Sequence, residues 1–442
     1  MKKVGIILLL LISNLCLTAQ TRMIVMSDIG GSDPDDTQSL VHLFVSLDQV
    51  ELEGFISQHA WVPYGHGAIQ LIHNMINSYE AVLPNLRVHS AAYPSAAYLR
   101  SIVKQGQSEA AMHGVGEGKD SEGSEWIIKI VDKDDPRPVW ISAWSGLSTL
   151  AQALWKVSHT RTTAQIAAFV HKIRVYDVLG QDDAGAWIVK NFPNIIYIRN
   201  KNIYGWAPSD QWAKQNIQNV GPLGSVYPNR IWAIEGDSPS FMYCLNNGLN
   251  VPEHPDYGGW GGRFDTTRVA NIRGMDWVKK NGLDEPQYDP YYMMPSAPEG
   301  VNAILRWKDD IYNDFAARMQ WTVCPNFKNA NHHPVVVLGK DKRKDVLLLN
   351  VSAGQRVILS AAKSYDPDHN QLSFDWNYYK EPSTYKGDIQ LNTSQHAVCS
   401  MIVPKNAANH TIHIILRLVD NGVPSLASYK RIILNVLPLS HP

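Results

Sequence analysis

Met26-Ser-Asp-Ile-Gly-Gly-Ser-Asp-Pro-Asp-Asp-Thr-Gln-Ser-Leu40 is the stretch on which the reading of this chain turns. It follows a short apolar run at residues 23–26. It leads into a segment with apolar residues at Leu40, Val41, Phe44, Val45 and Leu47, a helical spacing. A strand, a loop and a helix are therefore expected, with Asp28, Asp33, Asp35 and Asp36 gathered in the loop. Ligands of open α/β sheets bind at the carboxyl ends of strands, where such a loop lies. Four carboxylates held this close repel one another unless a cation neutralises them. Oxygen-only donors suit a hard ion, calcium ahead of magnesium because the geometry need not be octahedral. Helix capping and the macrodipole account for one or two of the acids. They do not account for Asp28, placed at a strand end before Gly30-Gly31.

Outward from this loop the same alternation continues. Strands are expected at residues 50–57, 139–143, 173–179 and 195–198. Helices are expected at 35–47, 68–79, 147–157 and 184–191. Such alternation means βα units on a mostly parallel, doubly wound sheet. Between about 258 and 333 the pattern loosens into Gly-, Pro-, Tyr- and Trp-rich loops, with a helix expected at 301–319. Asn329-Ala-Asn-His-His-Pro334 reads as a linker. Beyond it lie strand candidates at 345–351, 356–359, 372–376, 397–403, 411–418 and 429–437, separated by turns at intervals suited to a sandwich. Ser364-Tyr-Asp-Pro-Asp-His-Asn-Gln-Leu-Ser-Phe-Asp-Trp376 resembles a turn of Ig-like and PKD-like modules. The expected division is 20–333 for an α/β catalytic domain and 334–442 for an all-β Ig-like domain. The latter has no acid cluster of a catalytic kind and is expected to be dispensable for chemistry.

The amino terminus speaks for export. Lys2 and Lys3 precede an apolar run at residues 4–12, and Ala19 stands before Gln20 at a plausible cleavage point, the pattern of a signal peptide over 1–19. The run is short for a membrane anchor. Cys16 raises lipidation, but Leu15 stands where a small residue is expected. A secreted or periplasmic protein with no stable membrane span follows. Forty basic residues against 41 acidic ones leave a net charge of -1, which implies no broad surface for a nucleic-acid polymer. Cys244, Cys324 and Cys399 are too few for a disulfide framework and lack zinc-site spacing.

The acidic loop resembles the DxDPGxDD fingerprint of nucleoside hydrolases, with extra residues between its first aspartate and its Asp-Asp pair. It is closer to a secreted branch of that superfamily, the nucleoside-hydrolase-like domain of proteins described as cellulose-binding, which also carry a C-terminal Ig-like domain. The resemblance continues in order along the chain. It takes in Leu52-Glu-Gly-Phe-Ile-Ser57, the segment from Val139 to Leu150, the Gln181-Asp-Asp-Ala-Gly185 segment, Ile234-Glu-Gly-Asp-Ser-Pro-Ser-Phe241, and Pro252-Glu-His-Pro-Asp-Tyr-Gly-Gly-Trp-Gly-Gly-Arg263.

Carried over residue by residue, the resemblance implies a Ca2+ site made by Asp28, Asp36, Asp237 and the main-chain carbonyl of Trp144. Asp28 would also activate water, and Asp35 would grip the sugar diol. The loop insertion leaves Asp33 open as a replacement for Asp28. Gln181, Asp182 and Asp183 follow a strand and are candidates for sugar hydroxyls, or a helix N-cap with polar loop residues. Trp260, in a Gly-rich loop, is a candidate aromatic platform or a core residue. Two departures stand out. The family asparagine after the second strand has no clear counterpart near His59–Trp61, and the late His-Asp pair is Gly236-Asp237. Glu235, His254 or Asp256 could stand in for the lost proton donor. Hydrolysis of a glycosidic bond by water, with inversion, is the expected activity, on a glycan or oligosaccharide carrying a cis-diol sugar. A nucleoside N-glycosidase and a non-catalytic carbohydrate-binding protein are the alternatives.

Overall fold

The structure is a computed structural model that describes residues 20–58, 68–232, 234–270, 282, 286–394 and 396–438. The expected signal peptide and the His59–Trp61 position lie outside these residues.

The first body is built on an eight-stranded sheet: β1 (Thr21–Ser27), β2 (Val50–Ser57), β3 (Val103–Gln105), β4 (Val139–Ala143), β5 (Ile173–Val178), β6 (Ile196–Asn200), β7 (Val269–Ala270) and β8 (Tyr292–Pro295). Their order is β3-β2-β1-β4-β5-β6-β8-β7, and every pairing is parallel except β7 with β8. Alternate side chains of β1 pack to opposite faces, as a strand covered on both sides requires. Met23 and Val25 join the apolar layer of helices α1 (Asp35–Val45) and α2 (Ile69–His89). Ile24 and Met26 join the layer supplied in chain order by α4 (Glu122–Val131), α5 (Ser148–Thr160), α6 (Thr163–His171) and α7 (Ala184–Asn191), with α3 (Ala96–Ser101) coming before them on the α2 side. The sheet is thus doubly wound, as the alternation predicts. Its order reverses between β1 and β4, and a crevice opens there at the carboxyl ends of the strands. The acidic loop after β1 and Trp144 after β4 both sit at that point.

Two elements differ from expectation. Helix α2 runs ten residues beyond the expected end at Tyr79, because Val82, Leu83 and Leu86 keep the buried stripe going and Pro84 lies on the solvent side. The helix expected at 301–319 is two, Asn302–Leu305 and Lys308–Trp321. The break turns Trp307 toward Tyr379 and Tyr429, with ring centroids 6.0 and 5.5 Å away.

The second body packs a sheet of order β11-β13-β14-β9 against the pair β10-β12. These are β9 (Leu347–Ser352), β10 (Arg356–Ser360), β11 (Leu372–Tyr379), β12 (Val398–Ile402), β13 (Thr411–Asp420) and β14 (Ala427–Leu437). Trp376, Ile414, Leu416, Ile432 and Leu434 fill its core. The two bodies share a further apolar layer, since Ile415, Ala427 and Tyr429 pack into the core of the first. Arg417 donates to both oxygens of Asp310 at 2.7 and 2.5 Å, and the Tyr429 hydroxyl donates to the same carboxylate. Arg431 donates to the carbonyls of Leu249 and Gly258 at 3.0 and 2.7 Å.

Candidate functional site

The site begins where β1 ends. The Ser27 hydroxyl donates to Asp36 Oδ1 at 2.5 Å and accepts from the Ile29 amide at 3.0 Å. A tight turn follows, with the Gly31 amide on the Asp28 carbonyl at 2.9 Å and Gly30 at φ +91°, a conformation that favours glycine. Helix α1 then starts at Asp35. Its N-cap is Pro34, which offers no side-chain cap, and Asp35 Oδ1 accepts from the Asp36 amide of the first turn at 3.2 Å. The side chains of Asp35 and Asp36 also sit beside Asp237, which stands at the head of the short helix Ser238–Met242. One carboxylate oxygen from each of Asp35, Asp36 and Asp237 lies within 4.8 Å of the other two.

The charges of this group act on one another. Burial, followed by the charges of Asp36 and Asp33, holds the Asp35 carboxyl well above the usual carboxylate range. Burial and then Asp28 do the same to Asp36. Burial, followed by Asp35, Asp36, Asp28 and Asp33, does it to Asp237. The main charge effects on Asp237 therefore all come from other aspartates. Its Oδ2 is buried and has no hydrogen-bond partner among the described residues. A buried carboxylate oxygen left in this state is costly unless something positive meets it. The donor set is all oxygen, so the residues present fit a hard divalent cation, with calcium the better match.

Asp36 and Asp237 belong both to the set expected from the sequence and to this cluster. Asp35, expected to hold sugar, is the third member in place of Asp28. Asp28 lies outside the tightest group, although its charge reaches Asp36 and Asp237. Trp144 is anchored beside them. Its amide donates to the Met26 carbonyl at 2.8 Å, and its indole donates to Ser240 and Ser142 at 2.9 and 3.0 Å. Its carbonyl accepts from Gln181 Nε2 at 2.6 Å, which leaves one lone pair for a second partner.

Other candidates are placed elsewhere. Asp182 accepts from the amides of Leu147 and Ala184, both at 3.1 Å, and burial, then Asp183, pushes it up to about 7. It ties the β4–α5 loop to the start of α7. Asp183 accepts from the Met112 amide at 3.1 Å while α7 begins behind it. Both acids hold loops together, the polar-loop alternative of the sequence reading. Glu235, a candidate for the lost proton donor or a substrate contact, is a buried support. Its carboxylate meets His42 Nδ1 at 2.7 Å, the Tyr227 hydroxyl at 2.9 Å and Ser238 at 3.1 Å. His254 stacks on Tyr257 with centroids 4.2 Å apart, and Tyr257 meets His413 of the sandwich edge-on. It is a junction residue. Trp260 is 2 % exposed and donates to the Tyr429 hydroxyl at 3.3 Å, so its ring is closed off by the sandwich and offers no platform.

Two residues at the site went unnoticed in the sequence. Tyr204 borders the cluster: Asp35, Asp237 and Asp33, after burial, raise its phenol pKa. Gly236 explains how Tyr204 comes so close. A Cβ there would lie 2.6 Å from Asp35 Oδ2 and 3.2 Å from Tyr204 Cε1. Ser27 is the second, the direct donor to Asp36. No local pattern marks Tyr204, because the loop after β6 reaches the cluster only in the folded chain.

An open doubly wound sheet with an aspartate cage at its switch point defines a nucleoside-hydrolase-like α/β protein. The comparisons identify the family. Residues 22–264 match the model of "Cellulose-binding Sde182, nucleoside hydrolase-like domain", and residues 356–436 match "Cellulose-binding protein Sde0182, C-terminal domain". The chain belongs to this family. It is similar, at 46 % identity and a TM-score of 0.90, to a solved nucleoside hydrolase-related protein from Saccharophagus degradans associated with carbohydrate metabolism, over 95 % of this chain and 100 % of that one. The PKD domain of the KIAA 1837 protein also matches, at 18 % identity over 22 % of this chain and 83 % of that one. Its TM-score of 0.17 carries no argument. No curated relative matches.

Proposed function

We propose that this chain is an exported, calcium-dependent glycosidase that hydrolyses a glycan or oligosaccharide with inversion. The observation that carries the reading is the buried cluster of Asp35, Asp36 and Asp237, with Asp237 Oδ2 left without a partner. Calcium, when bound, would supply the positive centre that orients a water and neighbouring sugar hydroxyls. Asp36, Asp237 and the Trp144 carbonyl would hold it. Asp35, at the rim, would meet the sugar diol. Asp28 would take the proton from the attacking water, and the surrounding carboxylates would stabilise positive charge developing on the ring.

Gly236 supports a glycoside over a nucleoside. Glycine stands where the late His-Asp pair of nucleoside enzymes has its histidine, and a nucleobase leaves badly without protonation. Export rests on the basic and apolar start of residues 1–19, and no helix among the described residues is long and apolar enough to cross a membrane. We take the chain to divide at 333/334, between the helix Lys308–Trp321 and β9.

A second reading, a carbohydrate-binding protein that keeps the cage without turnover, draws support from the cellulose-binding description of the family. Product release and binding should be measured side by side on a panel of oligosaccharides, inosine and uridine, with calcium and with chelator. Calcium-dependent release of sugar from an oligosaccharide is expected. Binding without release on every member defeats the enzyme reading, and efficient cleavage of inosine alone defeats the choice of substrate.

A further inference from the structure

Fourteen tryptophans occur in the chain, and among the described ones only Trp232 stands open to water, at 71 % exposure. Ile231 beside it is 62 % exposed and Tyr204 is 42 % exposed. Large apolar groups left bare in one place mark a binding surface more often than chance. Two of these three side chains share one groove. Tyr204, Trp232 and Ile234 line one groove of about 600 Å³, whose walls also carry Ser209, Asp210 and Arg230. That volume falls within the range of ligand sites, ~300–1,000 Å³.

The groove adjoins the acid cluster through one residue. Tyr204 belongs to both, since it lines the groove, feels the charges of Asp35 and Asp237, and sits against Gly236. We propose that this groove is a saccharide subsite next to the cluster, where the faces of Tyr204 and Trp232 stack on successive rings of an oligosaccharide. The proposal rests on reading the cluster as the place of the reacting sugar. It adds that the substrate is a chain of sugars and that its binding depends on rings outside the cage.

Chemistry favours this occupant over others. A sugar ring offers an apolar C–H face to an aromatic side chain and hydroxyls to polar neighbours at its edge. The groove has both kinds of lining. Arg230 and Asp210 form an ion pair at 3.0 Å, with both side chains more than half exposed, and so present no net charge to attract a strongly charged partner. Their pairing leaves guanidinium and carboxylate edges in water, where hydroxyl groups can join them.

The test uses the full chain with calcium present. Cellotetraose, xylotetraose, mannotetraose and arabinotetraose, with their monosaccharides, are titrated calorimetrically into the wild type and into D28N, W232A and W232F. At least one tetrasaccharide is expected to bind more tightly than its monosaccharide. Trp232→Ala should weaken that binding tenfold or more, while Trp232→Phe, which keeps an aromatic face, restores most of it. The calcium-induced rise in melting temperature should be the same in W232A and wild type, which shows that the fold and cage are intact.

Binding of no tetrasaccharide by the wild type overturns the proposal, as does equal affinity in W232A. Self-association in sedimentation that W232A abolishes also overturns it, in favour of a second copy of the chain as the occupant. Failure of the catalytic reading looks different: tetrasaccharide binding stays sensitive to Trp232, and no product appears.

Discussion

Replacing Asp237 by Asn tests the cage with two effects of opposite sign. Within 4.8 Å, two unit charges repel by ~3.5 kcal/mol at an effective dielectric of about 20. Three ionised carboxylates make three such pairs, ~10 kcal/mol in all, which is more than a domain of ordinary stability tolerates. Without a cation, the group relieves this by holding protons, the direction in which all three carboxyls are shifted. Asp237→Asn removes two of the three pairs and gives the buried Oδ2 position an amide able to donate to Asp35 or Asp36. In chelator, the variant should therefore be more stable than wild type, by roughly 2 kcal/mol, because protonation has already removed most of the repulsion. With calcium the order reverses. Wild type at a hundredfold excess of calcium over its dissociation constant gains ~2.7 kcal/mol. For a chain of this length that is a rise of about 3 °C, and the variant should show none of it. Differential scanning calorimetry in chelator and in excess calcium reads both effects. A variant that melts below wild type in chelator yet keeps the full calcium increment would refute the argument, because the cluster would then be a structural hydrogen-bonded group and the ion would bind elsewhere.

Asp28→Asn should abolish sugar release while leaving most of the calcium increment in place, since Asp28 lies outside the tightest group; if release stays at the wild-type rate, water is activated elsewhere and Asp33 is the next residue to replace. A chain ending at residue 333 should not stay soluble, against the expectation from sequence that the sandwich is dispensable. It bares Trp260 and Trp307 and strips Asp310 of Arg417 and Tyr429, so a monomeric, cooperatively melting truncation would show the junction to be weaker than its contacts suggest. His413, on β13 against Tyr257 and Arg431, is held down from 6.5 to about 3, first by burial and then by the Arg431 charge. A folded pKa below the unfolded one means that its contribution is complete above pH 6.5 and is lost as pH falls toward 3. The loss is about 1.4 kcal/mol per pH unit, ~2 kcal/mol by pH 5. His413→Gln should flatten this part of the profile in denaturant titrations at pH 7 and pH 5, and an unchanged slope would place the acid sensitivity elsewhere.

The amino-acid sequence by itself determined what depends on neighbours along the chain. The apolar periodicity of residues 23–57 and 139–198 announced βα units, because each strand and helix must bury a stripe whatever its partner. The Asp-rich loop announced a candidate ion site, because four carboxylates within nine residues repel one another unless a cation or bound protons neutralise them. The resemblance of Ile234–Phe241 to a late family motif brought Asp237 into the same site before any distance was known. Tertiary structure alone decided which side chains face the crevice. Asp182 and Asp183 looked like sugar ligands because they follow a strand, and Glu235 like a proton donor because it stands beside Gly236-Asp237, yet backbone amides and His42 claim their oxygens from positions 35 to 193 residues away. Trp260 looked like a platform because it sits among glycines, yet Tyr429, 169 residues further on, closes its face. Tyr204 and Trp232 carry no local signal at all. Tyr204 lies against the acids, and shares a groove with Trp232, because the strand order reverses between β1 and β4 and opens a crevice there, and a sequence pattern read one window at a time does not contain that reversal.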